Sequence, residues 1–560
     1  MVDGLNQKKL TNTIKRILMK RKYLLIALFS TLFFCANIFA QSTYPVNVNQ
    51  NILHYTFNLS VNDTSNVIEG EATILFTLQD QDYLMLDFVG LHDGGVGMHV
   101  NEITYKGKPL PFTHKNNRLR ITIDSTQRVN NSSSEITIHY KGTPENGLII
   151  AENLFGQRVF FGDNYPDRAR HWLPCVDHPS DKASVTWQIT APTHYKVIAN
   201  GKWVDVKEIN KFYHTTTWNE QVPISTKVMV FGAANFATEQ SGEVNGVLVS
   251  TWVYDKNSKN GFNDFAIAPK VLTYFDSLIA PYPYEKLANV QSKTMYGGME
   301  NAGNIFYFEN AVNGRGEREN LIAHEIVHQW FGNSATEKDW PHAWLSEGFA
   351  TYLTHVYVGS KKGLAQMNKR LITDREKIIK YWHTNPLPIV NYGLVSFPAV
   401  EELDVLLNMN TYQKGGWVLH MLRNELGDDV FWKSVRMYYN IYKNKTSDTN
   451  DFQKVLENVS GKDLKVFFNQ WLYGMGQPEL TGEWKYGNGE IIINITQTQE
   501  NLFNFPLELG LVYKGKVEYR KVNITSKNES FRFSVPKPVE ILLDPNTQLL
   551  FEGDSILKRK

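Results

Sequence analysis

The pattern of apolar and polar positions changes rhythm twice along the chain. From about residue 45 to 250, apolar residues come in short stretches of strand length. ATILFTL (72–78), RLRITID (118–124), EITIHY (135–140) and SVTWQIT (184–190) alternate or run apolar, with clusters of Asn, Gly, Asp and Pro between them. That punctuation and the lack of a long helical period predict a β-rich region. From about 260 the apolar spacing lengthens to three and four residues. FAIAPKVLTYFDSLIA, LIAHEIVHQWFGN, WLSEGFATYLTHVYV and GGWVLHMLRNEL read as helices, with Gly359 and Gly427 where C-caps are expected. Beyond YGMGQPEL (473–480), the stretches EIIINITQ, LELGLVYK, FRFSV and VEILLD return to strands. No internal repeat or low-complexity segment interrupts this order.

Length and composition narrow the reading. A chain of 560 residues is too long for one core and suggests three or so domains. With 58 basic and 57 acidic residues the net charge is +1, which asks for neither nucleic acid nor an anionic surface as partner. The N-terminus stands apart. Lys20, Arg21 and Lys22 precede the apolar run 23–40, and a small residue, Ala40, precedes Gln41. This reads as an export signal cleaved after Ala40, giving a periplasmic or extracellular protein with no stable membrane span. An uncleaved anchor is the alternative, and Met19 offers a second start. Cys35 lies within that segment, so the mature chain keeps Cys175 alone. It has no intrachain disulfide framework, and Cys175 reads as a buried small residue.

The candidate chemistry starts at HEIVH. In a helix, positions i and i+4 share a face, so His324 and His328 present two imidazoles to one ion, and Glu325 addresses whatever binds opposite them. A helix with ordinary buried histidines would show the same short pattern. Eighteen residues separate His328 from Glu347, which lies on the next expected helix, within reach as a third ligand. Two His and one Glu leave a fourth position for water, the mark of a catalytic metal site.

HEIVHQWFGN together with WLSEGFATY resembles the gluzincin aminopeptidases of the M1 family. YGGMEN (296–301) is similar to that family's exopeptidase motif, usually GxMEN, at about the family's distance from the HExxH segment. The resemblance spans roughly 45–555. It implies a multidomain α+β fold: a signal peptide (1–40), a saddle-like β-rich N-terminal domain (41–250), a thermolysin-like, mainly helical catalytic domain (251–479), and a small C-terminal β-sandwich (480–560). It further implies one zinc per chain on His324, His328 and Glu347, with Glu325 as general base. Peptides with a free N-terminus would be the substrates, their amino group held by Glu300 within the segment Gly297, Gly298, Met299, Glu300 and Asn301. Tyr412, in TYQKGG, matches the family's oxyanion-donating tyrosine, and Asn333 reads as support rather than ligand. The segment RARHWLPCVDHPSDKA (168–183) also resembles the family's. There this sequence departs from it: a Gln or Glu ten residues before Cys175 helps hold the amine in many relatives, but Tyr165 stands here. Asn164 and Asp163 are the neighbouring candidates. Two other readings remain open: a scaffold without catalysis, and another hydrolase on the same site, such as an epoxide hydrolase or an endopeptidase. Glu300 argues against an endopeptidase.

Overall fold

The computed structural model describes residues 46–560, apart from residue 93 and the segments 124–132 and 392–404. The expected export signal lies outside the described residues. Alternation builds the first region. In β1 (Gln50–Ser60), Tyr55, Phe57 and Leu59 are buried with more open positions between them, as in a strand with one covered face. β2 (Ile68–Leu78) repeats this with Ala72, Ile74 and Phe76. They join β3 (Gly97–Tyr105), β4 (Lys108–Pro109), β5 (Ser134–Thr143), β6 (Lys182–Pro192), β7 (Lys202–Asn210) and β8 (Tyr213–Ser225). The eight form one sheet in the order β7-β8-β6-β1-β2-β5-β3-β4. Only β1 and β6 pair in parallel; the remaining neighbours are antiparallel.

A five-stranded sheet follows: β9 (Phe236–Val244), β10 (Val247–Tyr254), β11 (Lys286–Ser292), β12 (Gly298–Met299) and β13 (Asn304–Phe308), in the order β9-β10-β11-β13-β12. Residue 250 thus lies inside β10. Three of these strands fall within the part expected to be mainly helical. Every residue of β11, KLANVQS, is buried, so the alternation that reveals a half-exposed strand is absent. β12 closes the edge of this sheet antiparallel to β13, which puts Glu300 just past a sheet edge.

The helical part carries α1 (Ser258–Phe265), α2 (Ala268–Leu278), α3 (Glu319–His328), α4 (Trp344–Lys362), α5 (Leu364–Trp382), α6 (Gly415–Leu426), α7 (Asp428–Tyr442) and α8 (Thr449–Ser460). Gly427 does end α6, but Gly359 is not a cap. α4 runs on to Lys362 and ends at Gly363, whose φ of 86° and ψ of 160° suit glycine alone, while Gly359 packs inside the last turns against Met367. The C-terminal strands form a five-stranded and a three-stranded sheet, the former including Glu479–Gly487, Glu490–Gln497 and Asn528–Ser534. Together these regions make the multidomain α+β fold. Among the described residues, no helix is long and apolar enough to cross a membrane.

The two glycines should respond differently to substitution. Gly363→Ala forces a side chain into a glycine-only conformation and is expected to lose about 1–3 kcal/mol in urea denaturation. Gly359→Ala, already helical, is expected to shift stability by less than about 1 kcal/mol.

Candidate active site

On α3, Ile322, Ala323, Ile326 and Val327 are completely buried and anchor it in the core. The i, i+4 spacing brings His324 Nε2 and His328 Nε2 to 3.1 Å, with the rings edge to face. Glu347 stands in the first turn of α4, where the helix dipole favours a carboxylate. Its Oε2 lies 3.4 Å from His324 Nε2 and 3.3 Å from His328 Nε2.

These three atoms make a triangle with sides of 3.1, 3.3 and 3.4 Å. Tetrahedral ligands at about 2.0–2.1 Å from a zinc ion stand roughly 3.3 Å apart, so the donors fit one such ion. Glu347 Oε2 is buried without a hydrogen-bond donor, as a ligand atom would be. His328 Nδ1 lies 3.2 Å from the Phe331 carbonyl, which can only accept, and 3.0 Å from Ser346 Oγ. The proton therefore sits on Nδ1, and Nε2 is turned to the ligand position. Gly332 makes this possible: its φ is +118°, and a Cβ there would lie 2.3 Å from Ser346 Oγ.

The field in the site follows from burial and from carboxylates. Burial lowers His324, opposed by Glu347. Burial also works against charge on His328, but Glu347 and Glu300 outweigh it and raise His328 to about 10. Glu347 moves the other way: burial disfavours its charge, yet His328 and His324 hold it well below the usual carboxylate range. The protein's own charges thus favour a cation among these three side chains. Glu325 is pushed well up by burial, with His328 opposing and Glu300 and Glu347 adding to the rise.

Glu325, Glu300 and His328 form a second close group, their ligand atoms all within 4.8 Å of one another. A Cβ on Gly298 would lie 2.3 Å from Glu325 Oε1, so the β12 backbone passes tightly by this carboxylate; at Gly297 the space is open. Glu300 is buried, and its Oε1 has no partner among the described residues. Its carbonyl accepts from Gln329 Nε2 at 2.9 Å and from Asn333 Nδ2 at 2.6 Å. Tyr412, in the turn Asn410–Lys414 that leads into α6, stacks parallel to His324 with ring centres 6.0 Å apart. Burial, then Glu347, Glu300 and Glu325, raise its phenol far above the ordinary value, so it stays a proton donor.

The amine-ligand candidates separate. Asn164 is committed, donating to the Thr226 and Met229 carbonyls and accepting from Trp172 Nε1. Asp163 pairs with Arg168 and accepts from Met295 N. Tyr165 packs edge-on against Tyr296 and Trp340, and its phenol, raised first by burial, feels Glu347, Tyr412, Glu337 and Glu300. Sequence reasoning missed Gln329, Ser346 and the buried ion pair of Lys227 with Glu337, whose ammonium lies 5.5 Å over the Tyr165 ring. Gln329 alone carried a signal: a polar residue that breaks an apolar helix end. Cys175 is free and buried, and burial raises its thiol.

Two family sequence models match this chain, the peptidase M1 N-terminal domain over residues 51–228 and the peptidase family M1 domain over 264–471. The chain belongs to peptidase family M1. It is similar to the human (Homo sapiens) glutamyl aminopeptidase, 26% identical over 433 residues that make up 72% of this chain and 44% of that protein. Glutamyl aminopeptidase of Bitis rhinoceros is 25% identical over 81% of this chain and 48% of its own length. Probable aminopeptidase 2 of Sulfurisphaera tokodaii is 28% identical over 68% of this chain and 49% of its own. The chain thus spans about half the length of these curated relatives.

Because three donors converge, metal binding should show in stability. Adding zinc to chelator-stripped protein is expected to raise Tm, with about 2.7 kcal/mol of stabilisation at a hundredfold excess over Kd. Glu347→Ala should remove most of that shift. An unchanged shift in Glu347→Ala would mean that the metal binds elsewhere.

Proposed function

We propose that this protein is an exported zinc aminopeptidase that removes the N-terminal residue from peptides with a free amino group. The observation that carries the reading is the meeting of His324, His328 and Glu347 on one point, with Glu325 and Glu300 beside it. Export rests on the sequence of residues 20–40.

One zinc, held by His324, His328 and Glu347, would supply a Lewis acid and lower the pKa of water there. Glu325 takes a proton from the attacking water and returns it to the leaving amine. The scissile carbonyl oxygen becomes negative as water adds, and Tyr412 donates a hydrogen bond to it. The Glu300 carboxylate pairs with the substrate's ammonium, and its clamped backbone fixes how far the chain end sits from the reacting carbonyl. Gly298 and Met299, on the edge strand β12, offer the substrate backbone an extended partner. Burial raises Glu325 in the free protein, and a dication beside it restores the carboxylate form that a base requires.

Glu325→Gln is expected to keep one zinc per chain by elemental analysis and to lose turnover of aminoacyl reporters by about 10²–10⁴. Tyr412→Phe should lower kcat by about 10²–10³ and change KM far less. Full hydrolysis by Glu325→Gln would show the scheme to be wrong.

A further inference from the structure

The cations buried around the site mostly have strong partners. Lys227 is paired with Glu337, and Lys182 Nζ donates to the Asn333 and Ser334 carbonyls at 2.9 and 2.7 Å. Arg168 differs. It is 5% exposed, yet its Nε–H has no acceptor among the described residues. Nη1 meets the Met295 sulfur, a weak acceptor, at 2.9 Å. Nη2 reaches Asp163 Oδ1 at 3.3 Å and the Tyr296 hydroxyl at 3.4 Å, both long for a charged donor. A buried guanidinium with this much bonding capacity left over is costly unless a further acceptor arrives.

Its position suggests which acceptor. Met295 and Tyr296 run directly into Gly297–Asn301, and the guanidinium lies over the Tyr296 ring at 5.6 Å. Tyr296 touches Tyr165, which shares the field of Glu300 and Glu347. A peptide whose ammonium rests on Glu300 brings its first side chain against this wall. A site that holds the Glu300 and Glu347 carboxyls disfavours a further acidic side chain unless a cation compensates.

We propose that Arg168 is a specificity-determining residue that takes the side-chain carboxylate of an N-terminal glutamate or aspartate through its Nε–H. Asp163 and Tyr296 accept from Nη2 and Met295 meets Nη1, so the planar group is oriented before substrate arrives. The inference rests on the aminopeptidase reading and adds a substrate class to it.

The test compares Glu-, Gln- and Leu-aminoacyl coumarin amides with zinc-loaded full-length wild type, Arg168→Gln and Arg168→Lys. Gln matches Glu in shape without its charge. Wild type should cleave the Glu amide at least about tenfold better than the Gln amide, as one charge-assisted contact allows. Arg168→Gln should lose about 10–100-fold in kcat/KM on the Glu amide, chiefly through KM, and less than about threefold on the Leu amide. Arg168→Lys should lie between. A wild type that treats Glu and Gln alike, or an Arg168→Gln loss equal on Glu and Leu, overturns the assignment. Turnover of none of the three by wild type overturns the aminopeptidase reading beneath it.

Discussion

Two hydrogen bonds to one carbonyl set the geometry of the site. Gln329 and Asn333 both donate to the Glu300 carbonyl, at 2.9 and 2.6 Å. Both residues follow His328 on the same stretch of chain. The segment that carries two of the proposed metal donors therefore also grips the strand that carries the proposed chain-end anchor, Glu300. Gly332 lets the chain reverse tightly, so that Asn333 N also reaches the His328 carbonyl at 3.0 Å. If the protein acts as proposed, removing one residue from a free end, a fixed distance between anchor and metal is the central requirement.

The rest of the structure keeps four carboxylates buried in one place. Glu300, Glu325, Glu337 and Glu347 all lie in the interior. Lys227 neutralises Glu337, and the imidazoles of His324 and His328 hold Glu347 charged. Glu300 Oε1 has no partner among the described residues and burial pushes Glu325 well up, so in the proposed function a dication and a substrate ammonium supply the positive charge these carboxyls lack. Removing either partner of a buried pair is strongly destabilising, so such a site persists only where the surrounding core holds it. Here that core is the buried apolar side of α3 together with Trp340, just before α4, and Trp344 and Phe349 on α4.

Much of this could be read from the sequence, for identifiable reasons. The HExxH helix and the Glu347 helix announce themselves because the i, i+4 relation is local. The strands of the first region show because one face is exposed. β11 did not show, since burial on both faces erases alternation, and with it the sheet that positions Glu300 was missed. Gly359 looked like a cap because a glycine near a helix end usually is one, but the dihedral angles that decide lie at Gly363. Arg168 and the Lys227–Glu337 pair were beyond reach. Met295 and Tyr296, which Arg168 meets, and Glu337, which pairs with Lys227, lie far off in the chain, and a single charged residue in a strand-rich region gives no sign that it is buried.

The central claim is that Glu300 and the metal site together measure one residue from a free chain end. Its most direct test is mass-spectrometric analysis of products from one peptide with either a free or an acetylated N-terminus, each incubated with zinc-loaded protein. Stepwise loss of single residues from the free peptide, with the acetylated peptide left intact, is the predicted result. Cleavage of the acetylated peptide at a matching rate, or internal cuts in either peptide, would contradict the account.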